Sequence, residues 1–144
     1  MSQENVEIVR GNFELLWRDG RFEEWIGTLD PDIEWDASNF GMDSASGVPD
    51  DLRGIYHGHE GVRTYWRRWL QAWADLEFDV HDVVDGGDDV VALIRNQRQW
   101  GRRSGIATEM PPYGLVFTIR DGKVIRWRAF SDERSALMAA GLTA

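Results

Sequence analysis

The sequence predicts an α+β domain in which helices pack on one face of an antiparallel sheet. Three observations carry that expectation. Apolar residues recur at helical spacing through most of the N-terminal half, and from Phe78 onward the period changes to that of strands. The strand-rich half is punctuated by tight Gly-containing turns, and strands joined by such turns run antiparallel. Helices collected ahead of a meander belong to α+β architectures. With 144 residues, 42% of them hydrophobic and 28% charged, the chain reads as one domain spanning 1–144.

Val6, Val9, Phe13, Leu16 and Trp17 define an amphipathic helix over 4–18, with Ser2 or Asn5 as its cap and Asp19-Gly20 as its stop. Phe22, Trp25, Ile26 and Leu29 repeat the pattern in a short second helix, followed by Pro31. Asp32-Ile33-Glu34-Trp35-Asp36 alternates polar and apolar, as a half-buried strand does. Residues 37–54 are rich in Ser, Gly, Asp and Pro and read as a loop, either a binding lid or a plain surface insertion. From His59, the residues Val62, Tyr65, Trp66, Trp69, Leu70 and Trp73 mark one face of a third helix.

Phe78, Val80 and Val83-Val84 then lead to Asp85-Gly86-Gly87-Asp88, a hairpin signal, and Val90–Trp100 forms the returning strand. A further strand, broken at Pro111-Pro112, reaches Ile119. Asp121-Gly122 supplies the positive φ of a type I′ turn into Val124–Phe130. The last helix starts near Asp132, a natural cap, and Gly141 closes it.

Charge narrows the function classes. Sixteen basic residues against twenty-five acidic ones leave a net charge of −9, which repels phosphate backbones and anionic membrane surfaces. No window approaches the ~20 apolar residues of a membrane span, and the Met-Ser-Gln-Glu-Asn start lacks the features of a signal peptide. There is no Cys, so disulfides and thiolate catalysis are excluded, and neither a Gly-x-Gly-x-x-Gly nor a P-loop occurs. The expectation is a soluble cytoplasmic protein with no nucleic-acid or membrane partner and no cofactor.

Several fragments, in this order and spacing, resemble the nuclear transport factor 2-like superfamily and, within it, the SnoaL-like (polyketide cyclase-like) family. They are Glu4–Val9, Asp30–Trp35, Tyr56–Val62, Arg120–Val124 and Phe130-Ser131-Asp132, and together they cover essentially the whole chain. The resemblance implies a cystatin-like α+β barrel: a cone of curved antiparallel sheet wrapped around the N-terminal helices, with an internal pocket. It also implies a homodimer through the outer face of the sheet. The run Val90–Ile94, apolar on both faces, agrees with a sheet covered on both sides.

Members of that superfamily include cyclases, isomerases, epoxide hydrolases, dehydratases and proteins with no chemistry, so the fold leaves function open. The acids of the relatives are not in place here. The catalytic Asp that ends the last strand in cyclases and epoxide hydrolases corresponds to Ala129, the polar ligand of the attacking water to Ala37, and the Arg-x-Asp of those hydrolases falls near Ile94 and Asn96.

The candidate pocket comprises Trp35, Tyr65, Trp66, Trp69, Arg98, Leu115, Phe117 and Trp127, each of which also serves as an ordinary core or surface residue. Tyr113 and Asn96 are candidates to polarise a ligand carbonyl, with His57 or Asp36 as base. Glu109 is a further carboxylate that the strand pattern brings near. His57-x-His59 has metal-ligand spacing with His81 or Asp36 as a third group, but a capping role for His59 explains it more simply, and no metal is expected. The expected function is proton transfer on an apolar cyclic or carbonyl-bearing small molecule. The alternative is a noncatalytic small-ligand-binding or dimerisation module of the same fold.

Overall fold

The structure, a computed structural model, describes residues 2–38 and 54–142. Helix α1 (Ser2–Phe13) continues into a π-helical turn, Glu14–Arg18, where the Asp19 N–H reaches back to the Glu14 carbonyl at 2.9 Å. Asn5 lies inside α1 and donates to the Gly87 carbonyl at 3.0 Å instead of capping the helix. Gly20, with φ +67°, allows the turn into α2 (Phe22–Gly27), which buries Trp25 and Ile26.

Strand β1 (Leu29–Asp36) begins earlier than the alternation suggested and holds Pro31 at an exposed position. Of the expected loop, residues 39–53 lie outside the described residues. A short β2 (Ile55–His57) pairs with β1 and leads into α3 (Gly58–Ala72). At Trp73 the backbone becomes extended, so this residue opens β3 (Trp73–Gly86) instead of ending the helix. β4 (Asp89–Gly101), β5 (Ala107–Glu109), β6 (Tyr113–Arg120), β7 (Lys123–Phe130) and α4 (Glu133–Ala139) complete the chain. Asp132 caps α4, its carboxylate accepting from the Ser135 N–H at 2.7 Å.

The strands form one curved, open sheet in the order β2-β1-β7-β6-β4-β3, with β5 beside β4. The pairings are antiparallel except β1 with β7, which run parallel. Hairpin logic could not reach that pair, because it joins the first strand to the last. Val90, Ala92 and Ile94 face the main core with α1–α3, whereas Val91, Leu93 and Val116 face the other way and pack under Ala136 of α4. The two-sided apolar run on β4 is therefore covered within one chain, and it no longer argues for a partner copy.

β4 carries an extra residue. Glu77 pairs with Arg98 and Asp79 with Arg95, so two steps on β3 face three on β4. The surplus is absorbed at Asn96, whose φ is +58°, in the left-handed region that Asn tolerates better than most residues. Beyond this bulge the faces exchange, which turns Gln97 and Gln99 inward and Asn96 and Arg98 outward. Asn96→Val is expected to cost about 1–3 kcal/mol and Asn96→Gly less than about 1 kcal/mol in urea unfolding. Equal losses for the two would assign the effect to the missing hydrogen bond with Asp79, 2.9 Å in the native protein, and not to the backbone.

Candidate functional site

A cavity of about 70 Å³ lies between the helices and the inner face of the sheet. Each wall follows from local geometry. Trp35 and Trp127 are register partners on β1 and β7, and their rings stack at 3.9 Å and 8°. One face of α3 supplies Tyr65, Trp66 and Trp69. Alternation along β6 aligns Tyr113, Leu115 and Phe117. All eight of these side chains line the cavity.

The other residues named from the sequence stand elsewhere. Asn96 is exposed and bonded to Asp79, and Arg98 is exposed and paired with Glu109 at 3.0 Å, because the β4 bulge reverses their face. Glu109, held in that surface pair, is likewise not on the wall. Asp36 follows Trp35 on β1 and so points to the opposite face, where its carboxylate accepts from the Ser38 N–H at 2.9 Å. His57 is exposed on β2 opposite Glu34 and occupies the position before α3 without a capping bond. The His59 ring instead meets the Leu29 carbonyl at 2.9 Å. Among the described residues no three His, Asp or Glu side chains converge as a metal-ligand group.

The structure adds wall residues that the sequence reading missed. Gln97 arrives through the bulge, which no local pattern announces. Asn12 was legible in principle, since it sits three residues after Val9 on the apolar face of α1. Its amide donates to the Ile8 carbonyl at 2.8 Å and its oxygen accepts from the Thr28 hydroxyl at 3.2 Å. Trp17, Trp25, Leu76 and Phe78 close the remaining gaps.

Among the described residues the cavity wall is neutral. Its polar side chains are Asn12, Gln97, Tyr65, Tyr113 and the indoles, and no carboxylate, imidazole or cation is among the described residues on its wall. The Tyr113 hydroxyl donates to the Gln97 oxygen, and the Gln97 amide donates to the Gln99 oxygen at 2.9 Å. This relay directs the Tyr113 proton at Gln97. Burial pushes the hydroxyls of Tyr65 and Tyr113 well above the ordinary tyrosine range; Tyr56 beside Tyr65 adds to the first shift, and Gln97 partly opposes the second. Both phenols are therefore neutral at physiological pH. The indole N–H groups of Trp35, Trp66 and Trp69 are buried and have no hydrogen-bond acceptor among the described residues. An indole can only donate, so each of these three rings carries an unmatched donor among the described residues.

The comparisons with known proteins fit this geometry. An NTF2-like protein of unknown function from Burkholderia pseudomallei K96243 superposes with a TM-score of 0.73 at 21% identity, covering 100% of each chain. A protein classed as a SnoaL-like polyketide cyclase, from Jannaschia sp. CCS1, gives 0.71 at 24% identity over 100% of this chain and 95% of its own. TerC, co-crystallised with polyporic acid, gives 0.71 at 21% identity over 95% and 97%. No curated protein matches the chain significantly. No helix among the described residues is long and apolar enough to cross a membrane. The profile of the SnoaL-like domain matches residues 9–127, and with the cone and its aromatic interior now described, the chain belongs to the SnoaL-like domain family.

Proposed function

We infer that this protein binds a small, neutral, cyclic compound bearing a carbonyl or similar acceptor in the cavity between helices and sheet. The observation that carries the reading is an aromatic enclosure whose indoles at Trp35, Trp66 and Trp69 have no acceptor among the described residues. An acceptor placed there recovers hydrogen bonds that these indoles do not make within the described residues. TerC, of the same fold, was crystallised with polyporic acid, which agrees with a cone that takes small molecules.

The wall supplies neutral donors, which can polarise a carbonyl, but among its described residues it supplies no base to remove a proton. Binding and polarisation of a carbonyl are chemistry that these described residues supply, and proton abstraction draws on a base from outside them.

The test is a tryptophan-fluorescence titration with cyclohexanone and with methylcyclohexane. The ketone is expected to bind at least about fivefold more tightly despite being the less hydrophobic of the two, because it alone accepts from an indole. Its dissociation constant should stay flat between about pH 6 and 9, since burial moves both tyrosines on the wall further above that window. Equal or tighter binding of the hydrocarbon overturns the reading. A pH step within the window would instead reveal a titrating partner and restore the acid–base alternative.

A further inference from the structure

Among the described residues on the cavity wall, Trp17 alone is exposed, at 38%. The same side chain borders two surface grooves of about 340 Å³ each. One groove lies toward α3 and the start of β3, with Trp66, Leu70 and Trp73 on its wall. The other runs along β3 beside Glu77, Phe78 and Val80. Leu76 borders the same three spaces, but it is half-buried on a strand that pairs with β4. Trp17 therefore has the cavity behind it and a groove on either side.

The segment that carries Trp17 is loosely attached to the core. Glu14–Arg18 is a π turn closed by the Asp19 N–H on the Glu14 carbonyl, and none of its five residues is fully buried. By contrast, α1 before it buries Val6 and Val9, and α2 after it buries Trp25 and Ile26. The ion pair of Arg18 with Glu14, at 3.6 Å, ties the turn only to itself on its solvent side. The Trp17 ring meets Trp66 at 5.5 Å and Phe78 at 5.2 Å, both edge-on. Segments with few buried contacts open locally at a lower cost than the core, and single π turns occur often at functional sites.

We propose that Trp17 is the gate of the inner cavity. Its indole swings with the π turn into one of the flanking grooves and opens a path for small molecules, and the described position is the closed one. This inference concerns access to the cavity and is independent of which ligand the cavity takes.

Water is the probe that tests it. The Trp35 indole lines the cavity but neither groove, is 2% exposed, and has no acceptor for its N–H among the described residues. Its hydrogen exchange in D₂O, followed by NMR on the full chain, reports water reaching the cavity. The backbone amides of the paired strands β4 and β6 report global unfolding in the same sample. In the unaltered protein the Trp35 N–H is expected to be at least about tenfold less protected than those amides, at a rate that stays flat in low urea. Trp17→Ala should widen that ratio at least about tenfold further, whereas Leu115→Ala, a wall change away from both grooves, should alter it less than about twofold. A Trp35 N–H with the protection and urea dependence of the core amides overturns the gate, because water then enters only on global unfolding. No acceleration in Trp17→Ala, or an equal one in Leu115→Ala, overturns it as well by placing the entrance elsewhere.

Discussion

Trp127→Ala is expected to lower folding stability by about 3–5 kcal/mol, measured as a reduced midpoint at unchanged slope in guanidinium unfolding. The ring is 6% exposed, stacks on Trp35, and lies 5.9 Å from Tyr65. It stands where the first and last strands of the chain meet in register, so removing it opens a void at the one parallel pairing of the described sheet. Trp25 packs edge-on against Trp35 at 5.7 Å and extends the same aromatic stack toward α2. A loss below about 1 kcal/mol would show that the stack is not part of the load-carrying core. Indole added to the variant should recover part of the loss, because a ligand that binds only the folded state stabilises it.

The second large effect is placed on the opposite face. Gly114 on β6 has no room for a side chain: a Cβ there meets the Ala136 Cβ at 2.4 Å. Gly114→Val should therefore push α4 from the sheet and expose Val91, Leu93 and Val116, at a cost of about 1–3 kcal/mol or more. Ala136→Gly in the same chain should recover at least about 0.5 kcal/mol relative to the sum of the single changes, even though glycine alone weakens the helix. Strict additivity in the double-mutant cycle would mean that α4 does not dock on this glycine.

These two positions show what the sequence made legible. Trp127 and Trp35 were readable as inward-facing because buried residues stand two positions away on the same strand, Ile33 beside Trp35 and Ala129 beside Trp127, and the same rule placed Tyr113, Leu115 and Phe117 on one wall. Asp132 and Gly141 were readable because capping is a local event, and the structure shows the cap bond and the positive φ. The reading failed where geometry depends on a distant strand. The bulge at Asn96 leaves no periodic trace until β3 is laid beside β4, and one surplus residue was enough to exchange Asn96 and Arg98 for Gln97.

The outer cover was also hidden. A strand apolar on both faces says only that something lies on each side, and here the second cover is α4, near the end of the same chain. The carboxylates expected near the cavity, Asp36 as a base and Glu109 as a further acid, stand elsewhere for a simpler reason. Asp36 alternates with an inward Trp35 and so must face away, and Glu109 is held by Arg98 on the surface. Among the described residues, what remains on the wall is neutral.

The most direct test of the proposed binding is a crystal structure of the protein soaked with cyclohexanone. The account predicts the ring inside the aromatic enclosure, with its oxygen within about 2.7–3.2 Å of the indole nitrogen of Trp35, Trp66 or Trp69. A ketone found only on the outer face of the sheet, or an interior that stays closed with the ligand absent at saturating concentration, would contradict it.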